Sequence, residues 1–369
     1  MRIRPFEIES RMRSVRARRR PLSLVAVVAL WLTPVLLADS SHRLGWRQLP
    51  PLPDPCGFAS PFVGVAGPVL IVAGGANFPD QQLWEGGRKT WHERVFALKP
   101  GAEQWEMAGK LPQLLGYGVS VAFDNGVLCI GGGNAERHSA DAFVLQWKSD
   151  RLAFRSFPAL PKPVAMAAGA RVGNIVYVAG GLETPDSKAS MKTFFAFDLE
   201  QPAAGWRELP SWPGPGRSQA VAAAVGKEFY LFSGLLHQLQ PDGTAKLVYL
   251  NDAYRYAPAA GWQKLADIPY PAIAAASPAP VARGEVLLVG GVDGMLVGKA
   301  PQEFLSVPQR IQAYSPATRA WRDAGNAPAG RVCVTTTEWN GRWILPSGER
   351  SAGVRSPEVW ALQSAAPQK

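Results

Sequence analysis

With 369 residues, 47% of them hydrophobic, the chain is long enough for one large core or two modest ones, and its composition is neither disordered nor coiled coil. Thirty-seven glycines, 33 prolines and 13 tryptophans favour strands joined by frequent turns over helices. The formal net charge is +10, but eight arginines against two glutamates precede Asp39, so the remainder carries only +4 and a nucleic-acid partner loses its main support.

The first element is that basic segment. Its arginine run ends at "RARRRP" and is followed at once by the apolar stretch Leu22 to Ala38, "LSLVAVVALWLTPVLLA". A basic region, an apolar core and a small residue before Asp39 predict a secretory signal over 1–38 and an exported domain over 39–369, periplasmic or secreted. Pro34 and Ala38 favour cleavage. An uncleaved anchor is the other reading, and only that one would place the protein on a membrane. Cys56, Cys129 and Cys333 are odd in number and far apart, with Cys129 and Cys333 inside apolar strand patterns, which suits buried thiols better than a disulfide framework.

Past the leader the chain repeats. Six apolar runs end in a glycine pair or its relic, at Gly75, Gly132, Gly181, Gly234, Gly291 and Gly348, spaced by 57, 49, 53, 57 and 57 residues. Between them recur a strand such as "DAYRYAP" from Asp252 and an aromatic strand leading into proline: "WEMAGKLP", "FRSFPALP", "WRELP", "WQKLADIP" and "WRDAGNAP". Each unit reads as a four-stranded antiparallel sheet. The last unit ends at "PEVWAL" with no tryptophan strand after it, whereas the chain begins with an orphan one, "WRQLPPLP" at Trp46. The N-terminal strand is therefore expected to complete the last sheet and close a ring, leaving no free edge. Phe154 replaces the tryptophan of the second unit, with Trp147 beside it to fill the space.

Glycine pair, aromatic and tryptophan together resemble the kelch repeat, which implies an all-β, six-bladed kelch-type β-propeller from Trp46 to Leu362. A propeller does not name a function. The loops that leave the glycine-ended strands gather at one mouth of the ring, and the residues after the glycines are Ala76, Gly133, Leu182, Leu235, Val292 and Glu349. Glu349 is the one carboxylate in that set. If it points where the others pack, confinement would raise its pKa and suit it to proton transfer; if the last blade is locally irregular, it is solvated.

"SGERSAGVRSPEVW", Ser347 to Trp360, is similar to a segment of bacterial N-acetylneuraminate epimerases, also called sialic acid mutarotases. So are "AGGANFPDQQLWEGGRKTWHERVF" (Ala73 to Phe96), "LGYGVSV" (Leu115 to Val121) and "GPGRSQA" (Gly214 to Ala220), here in rotated order, as in a cyclically permuted branch of that family. The resemblance implies an isomerase that interconverts the α and β anomers of N-acetylneuraminate or a related acidic sugar, with Glu349 as base and Arg355 as its partner. The chemistry calls for no cofactor and no metal: a proton leaves the anomeric hydroxyl, one reaches the ring oxygen, and the ring recloses on the other face. Arg217 is a second candidate anchor for the sugar carboxylate, and Tyr117 a hydroxyl for a sugar oxygen. Asn77, Trp84, Arg88, Trp91 and His92 lie in a long first-blade insertion that could wall the mouth, although each taken singly reads more readily as ordinary loop packing or solvated charge. Arg331, at the position of Arg217 in the last blade, has no counterpart in the family and would add a third arginine.

Two further readings stand beside this one. A non-catalytic propeller would bind a glycan or protein partner on the same face. A copper oxidase on kelch blades would need clustered ligands, yet His42, His92, His138 and His237 have no ligand spacing, and no G-x-S-x-G elbow supports a serine hydrolase.

Overall fold

Every glycine-ended run is the second strand of a four-stranded antiparallel sheet in the computed structural model, which describes residues 44–295, 298–304 and 306–363. The expected leader over 1–38 lies outside the described residues. Blade 1 comprises Phe62–Ala66, Val69–Ala73, Arg94–Leu98 and Glu106–Lys110, and blade 2 Val119–Phe123, Gly126–Ile130, Ala142–Lys148 and Arg151–Phe157. Blade 3 comprises Ala168–Val172, Ile175–Ala179, Phe194–Asp198 and Trp206–Glu208, and blade 4 Val221–Val225, Glu228–Leu239, Ala245–Ala257 and Gly261–Lys264. Blade 5 comprises Val281–Ala282, Glu285–Val289, Arg310–Ser315 and Ala320–Asn326.

Blade 6 takes three strands from the end of the chain, Thr337–Trp339, Arg342–Pro346 and Val359–Gln363, and its fourth from the beginning, Trp46–Leu49. That strand pairs antiparallel from Trp46 opposite Leu362 to Leu49 opposite Val359, so the expected closure is present. Second strands such as Val69–Ala73 are apolar throughout because neighbouring blades cover both of their faces.

Two sets of contacts join the blades. On the outside, an indole N–H bonds a carbonyl of the preceding blade's chain: Trp105 to Pro50, Trp206 to Pro158 and Trp262 to Pro210 at 2.8 Å, and Trp321 to Ala266 at 3.0 Å. Phe154 lacks that donor and lies against Phe143, while Trp147 packs on the same core. On the inside, backbone amides form a closed cycle. Tyr117 donates to Ser60, Met166 to Tyr117, Gln219 to Met166, Ala274 to Gln219, Cys333 to Ala274 and Ser60 back to Cys333, at 2.7–2.9 Å. All six residues are left-handed, with φ between 45° and 61°.

The glycines beneath are equally constrained. At Gly348 φ is 95°, and a Cβ would stand 2.4 Å from Val334 Cγ2, so no larger residue fits. The three cysteines are free. Cys129 is a buried core thiol as expected, but Cys333 departs from the strand reading: it belongs to the inner cycle, half-buried at the channel.

Because Trp46–Leu49 is the outer strand of blade 6 and Leu52 behind it is buried, starting the chain at residue 54 rather than 40 should cost more than about 3 kcal/mol, the scale of emptying one large core site. Chemical unfolding of the two forms checks this, and equal midpoints would contradict the closure.

Candidate active site

The inner cycle decides which side chains reach the axis. A left-handed residue at each blade's entry turns its side chain inward, and Ser60, Tyr117, Met166, Gln219, Ala274 and Cys333 all line a narrow channel space of about 60 Å³. Outside this ring lies a wider cavity of about 310 Å³. Blade-specific insertions wall it. Blade 1 contributes Lys89, immediately before the ribbon strand Thr90–Trp91 that pairs with Ala76–Asn77, and blade 4 contributes Tyr249 from its prolonged central hairpin. Blade 5 contributes Asp293, Phe304 and Val307 from a long excursion.

Blade 6 closes the wall with a second ribbon, Glu349–Ser351 paired to Val354–Arg355, in which Glu349 and Arg355 face each other. The roof is cross-braced: Val307 N–H donates to the Arg350 carbonyl at 3.0 Å, and the short turns Leu83–Glu85 and Pro301–Glu303 touch.

The Glu349 backbone makes the same bridge to the entry segment, with Val332, that Ala76 makes with Ala59 and Leu182 with Ala165. The carboxylate is therefore held on a regular blade and not on a distorted one. Its Oε2 lies 3.2 Å from Arg355 Nη2, and its Oε1 accepts the Gly353 N–H at 2.9 Å. Arg355 is buried over the Phe78 ring, and its Nε and Nη1 have no hydrogen-bond partner among the described residues. Burial disfavours the Arg355 charge, but Glu349 and Tyr117 more than offset this and raise its pKa above the ordinary value. Burial pushes the Tyr117 phenol far above its usual range and the Cys333 thiol to about 11, so both are neutral donors at physiological pH.

Glu349, Arg355 and Tyr117 are thus brought together, with Trp91 behind Lys89 at the edge. The remaining sequence candidates lie elsewhere. Arg217 is fully buried: Nη1 and Nη2 bond the two Asp252 carboxylate oxygens at 2.7 and 2.8 Å, and Nη1 also bonds the Ser233 carbonyl. Arg331 is buried against Ser356, the Gly330 carbonyl and Glu358. The reason is register. Both arginines occupy the position of Phe58, Leu115, Val164 and Ala272, a core site two residues before the inward-facing one, so neither is a mouth anchor.

Asn77 is buried and bonds Gly57, Asp54 and His92 Nε2, while His92 Nδ1 stands 3.2 Å from Arg94, itself paired with Asp54 at 2.6 Å. This network clamps the base of the insertion and keeps His92 neutral, since burial and Arg94 lower its pKa. Trp84 is exposed on its turn, and Arg88 lies in a neighbouring open groove with Arg137. Sequence reasoning missed Lys89, Gln219, Cys333, Tyr249 and Asp293. The signal for the first was adjacency to Arg88: both line the groove, and Lys89 alone also lines the cavity. For Gln219 and Cys333 it was the two-residue offset. Among the described residues no three His, Cys, Asp or Glu side chains gather as a metal site requires.

The fold and site together define a closed six-bladed kelch propeller with a carboxylate–guanidinium pair on the wall of a cavity above its inner ring. The family model described as N-acetylneuraminate epimerase matches residues 35–154 and 157–307, and the chain belongs to that family. The N-acetylneuraminate epimerase of Pasteurella multocida (strain Pm70) is 30% identical over 229 residues, 54% of this chain and 57% of that protein. That of Haemophilus influenzae (strain PittEE) is 29% identical over 233 residues, 56% of this chain and 58% of that protein. The matches therefore span somewhat over half the length of these relatives. In structure the chain is similar to YjhT, with a TM-score of 0.63 and 15% identity, covering 84% of this chain and 95% of that one, a likeness of fold.

Arg217 generates a test of the register. Arg217→Met strands the half-buried Asp252 and should cost roughly 3–5 kcal/mol by denaturant unfolding. Burial alone would raise the Asp252 carboxyl, but the Arg217 hydrogen bonds and charge outweigh it and hold the folded pKa below the ordinary value. The pair's stabilisation is therefore present above about pH 4, the unfolded value, and is lost as pH falls through the lower folded value. The variant should lack that acid-range dependence.

Proposed function

We propose that the protein is a mutarotase acting on N-acetylneuraminate or a related acidic sugar. The observation that carries this reading is the Glu349–Arg355 pair, facing each other across one ribbon and both lining the cavity. The names of the curated relatives support it.

The sugar carboxylate pairs with the Arg355 guanidinium, whose planar fork suits a carboxylate. The Glu349 carboxylate accepts the anomeric hydroxyl proton as the bond to the ring oxygen breaks and that oxygen takes a proton from a second donor, leaving an open-chain ketone. Rotation about the bond beside that ketone presents its other face, the ring hydroxyl re-adds, and Glu349 returns its proton to the new anomeric oxygen. Tyr117, neutral at its raised pKa, donates a hydrogen bond to a sugar oxygen. Tyr249, Phe304 and Val307 offer apolar surface for a substituent. On this reading the leader over 1–38 exports the domain to the periplasm or beyond, where sugar is met before uptake.

Glu349→Gln retains size and one acceptor oxygen but cannot take the proton, so the rate should fall roughly 10²–10⁴-fold. Proton NMR of freshly dissolved α-N-acetylneuraminate follows the relaxation of the anomers. Arg355→Lys should weaken binding at least tenfold or so by losing the fork. A folded Glu349→Gln protein working at the parental rate would leave a binding module as the better description.

A further inference from the structure

Opening and reclosing a sugar ring moves two protons, one at the anomeric hydroxyl and one at the ring oxygen, and Glu349 accounts for the first. The cavity holds a second side chain suited to proton transfer. Lys89 reaches in from the blade 1 ribbon, its ammonium 4.7 Å from the Trp91 ring centre and 4.2 Å from that of Tyr117. The ring faces steady a cation without accepting its protons. Of the other charged side chains lining the cavity, Arg355 is paired with Glu349 and Asp293 with Arg310 at 3.6 Å, whereas Lys89 makes no hydrogen bond or ion pair among the described residues. Burial, and next the Arg355 charge, lower its pKa to about 8, against the opposing pull of Cys333 and Glu349. An amine that titrates there can give and regain a proton near neutral pH, which an ordinary lysine does poorly.

We propose that Lys89 is a second catalytic group, the acid that protonates the ring oxygen as the sugar opens and the base that takes the proton back as the ring recloses. The inference rests on the mutarotase reading and completes its proton balance. On opening, Glu349 gains the anomeric proton, the bond between anomeric carbon and ring oxygen breaks, and the ring oxygen takes a proton from the Lys89 ammonium. On closing, the neutral amine removes that proton as the oxygen attacks the other face, and Glu349 protonates the former ketone oxygen. Nothing is oxidised or reduced, and both groups end as they began.

The charged and titratable groups that share the surroundings of Lys89 are Tyr117, Tyr249, Asp293, Cys333, Glu349 and Arg355 on the cavity side, and Asp80, Arg88, Glu136 and Arg137 on the groove side. The competing role is a plain anchor for the sugar carboxylate, which arginine would fill equally well. The test therefore uses Lys89→Arg and Lys89→Met, with anomer relaxation by NMR from pH 6 to 9.5, the protein-free rate subtracted, and affinity for N-acetylneuraminate by isothermal titration. Both variants are expected to lose about a hundredfold or more in turnover, the arginine form keeping its affinity within a few-fold. The parent's rate should fall as pH rises through about 8, because the opening step needs the ammonium, and the residual rate of Lys89→Arg should be flat there. Lys89→Arg at the parental rate would make the residue an anchor, and both variants at that rate a bystander. Either result with Glu349→Gln inactive overturns the role of Lys89 alone. A parent no faster than the blank overturns the mutarotase reading and this inference with it.

Discussion

The structure depends on a cycle of six backbone hydrogen bonds around the axis, from Ser60 through Tyr117, Met166, Gln219, Ala274 and Cys333 and back. A left-handed conformation costs a non-glycine residue about 1–2 kcal/mol, and six blades each carry one. A hydrogen bond contributes about 1 kcal/mol net, but an enclosed amide left without a partner costs 1–3. The left-handed turn is thus tolerated because the extended alternative would strand both an amide and a carbonyl where blades converge. Nothing in this balance refers to chain order. The link from Ser60 to Cys333 spans nearly the whole domain and has the geometry of the link from Tyr117 to Ser60, which is why the ring tolerates termini in blade 6 as readily as anywhere else.

The same cycle separates scaffold from site. It turns six side chains inward but leaves little room among them, so a ligand must sit above the ring, where only insertions reach. Those differ from blade to blade. The connections after the second strands of blades 2 and 3 do not line the cavity, while blades 1, 4, 5 and 6 contribute two ribbons, a hairpin and an excursion to its surroundings. Chemistry is concentrated on the braced side, with Glu349, Arg355 and Lys89 placed within one cavity wall by two short antiparallel ribbons. Ribbons of two or three residues hold a side chain more tightly than an open loop, since each residue is fixed from across the strand pair.

This division explains what was legible in the residues. The glycine pairs, the tryptophans and the orphan strand at Trp46 carried the architecture, because each answers a local requirement that no other residue type satisfies. Glu349 was legible for the same reason, as one deviant in a sixfold set. Arg217 and Arg331 looked like anchors because a charged residue opening an inner strand suggests a mouth. The distinction between core and channel there is an offset of two residues, set by the left-handed turn, and composition does not reveal it. Lys89 was hidden by its neighbour: in "GGRK" either cation could face inward, and only the folded chain shows that Lys89 alone of the two lines the cavity. Cys333 reads as a strand residue until the cycle places it.

Charge bookkeeping in the cavity gives the ligand a definite sign. Arg355 is matched by Glu349 and Arg310 by Asp293, which leaves Lys89 as the unmatched cation, held by two aromatic faces at partial loss of its proton affinity. A neutral sugar would leave that imbalance in place while removing water from it, and the ammonium would yield its proton to solvent more easily. A monoanion does the reverse. Its carboxylate restores neutrality, favours the ammonium over the amine, and raises the Lys89 pKa on binding. An acidic sugar would therefore protonate the group that has to donate to its own ring oxygen, so that affinity and proton supply are coupled through one charge. Under the proposed mechanism, selectivity for acidic over neutral sugars would arise in the chemical step as well as in binding, without any contact beyond the carboxylate itself.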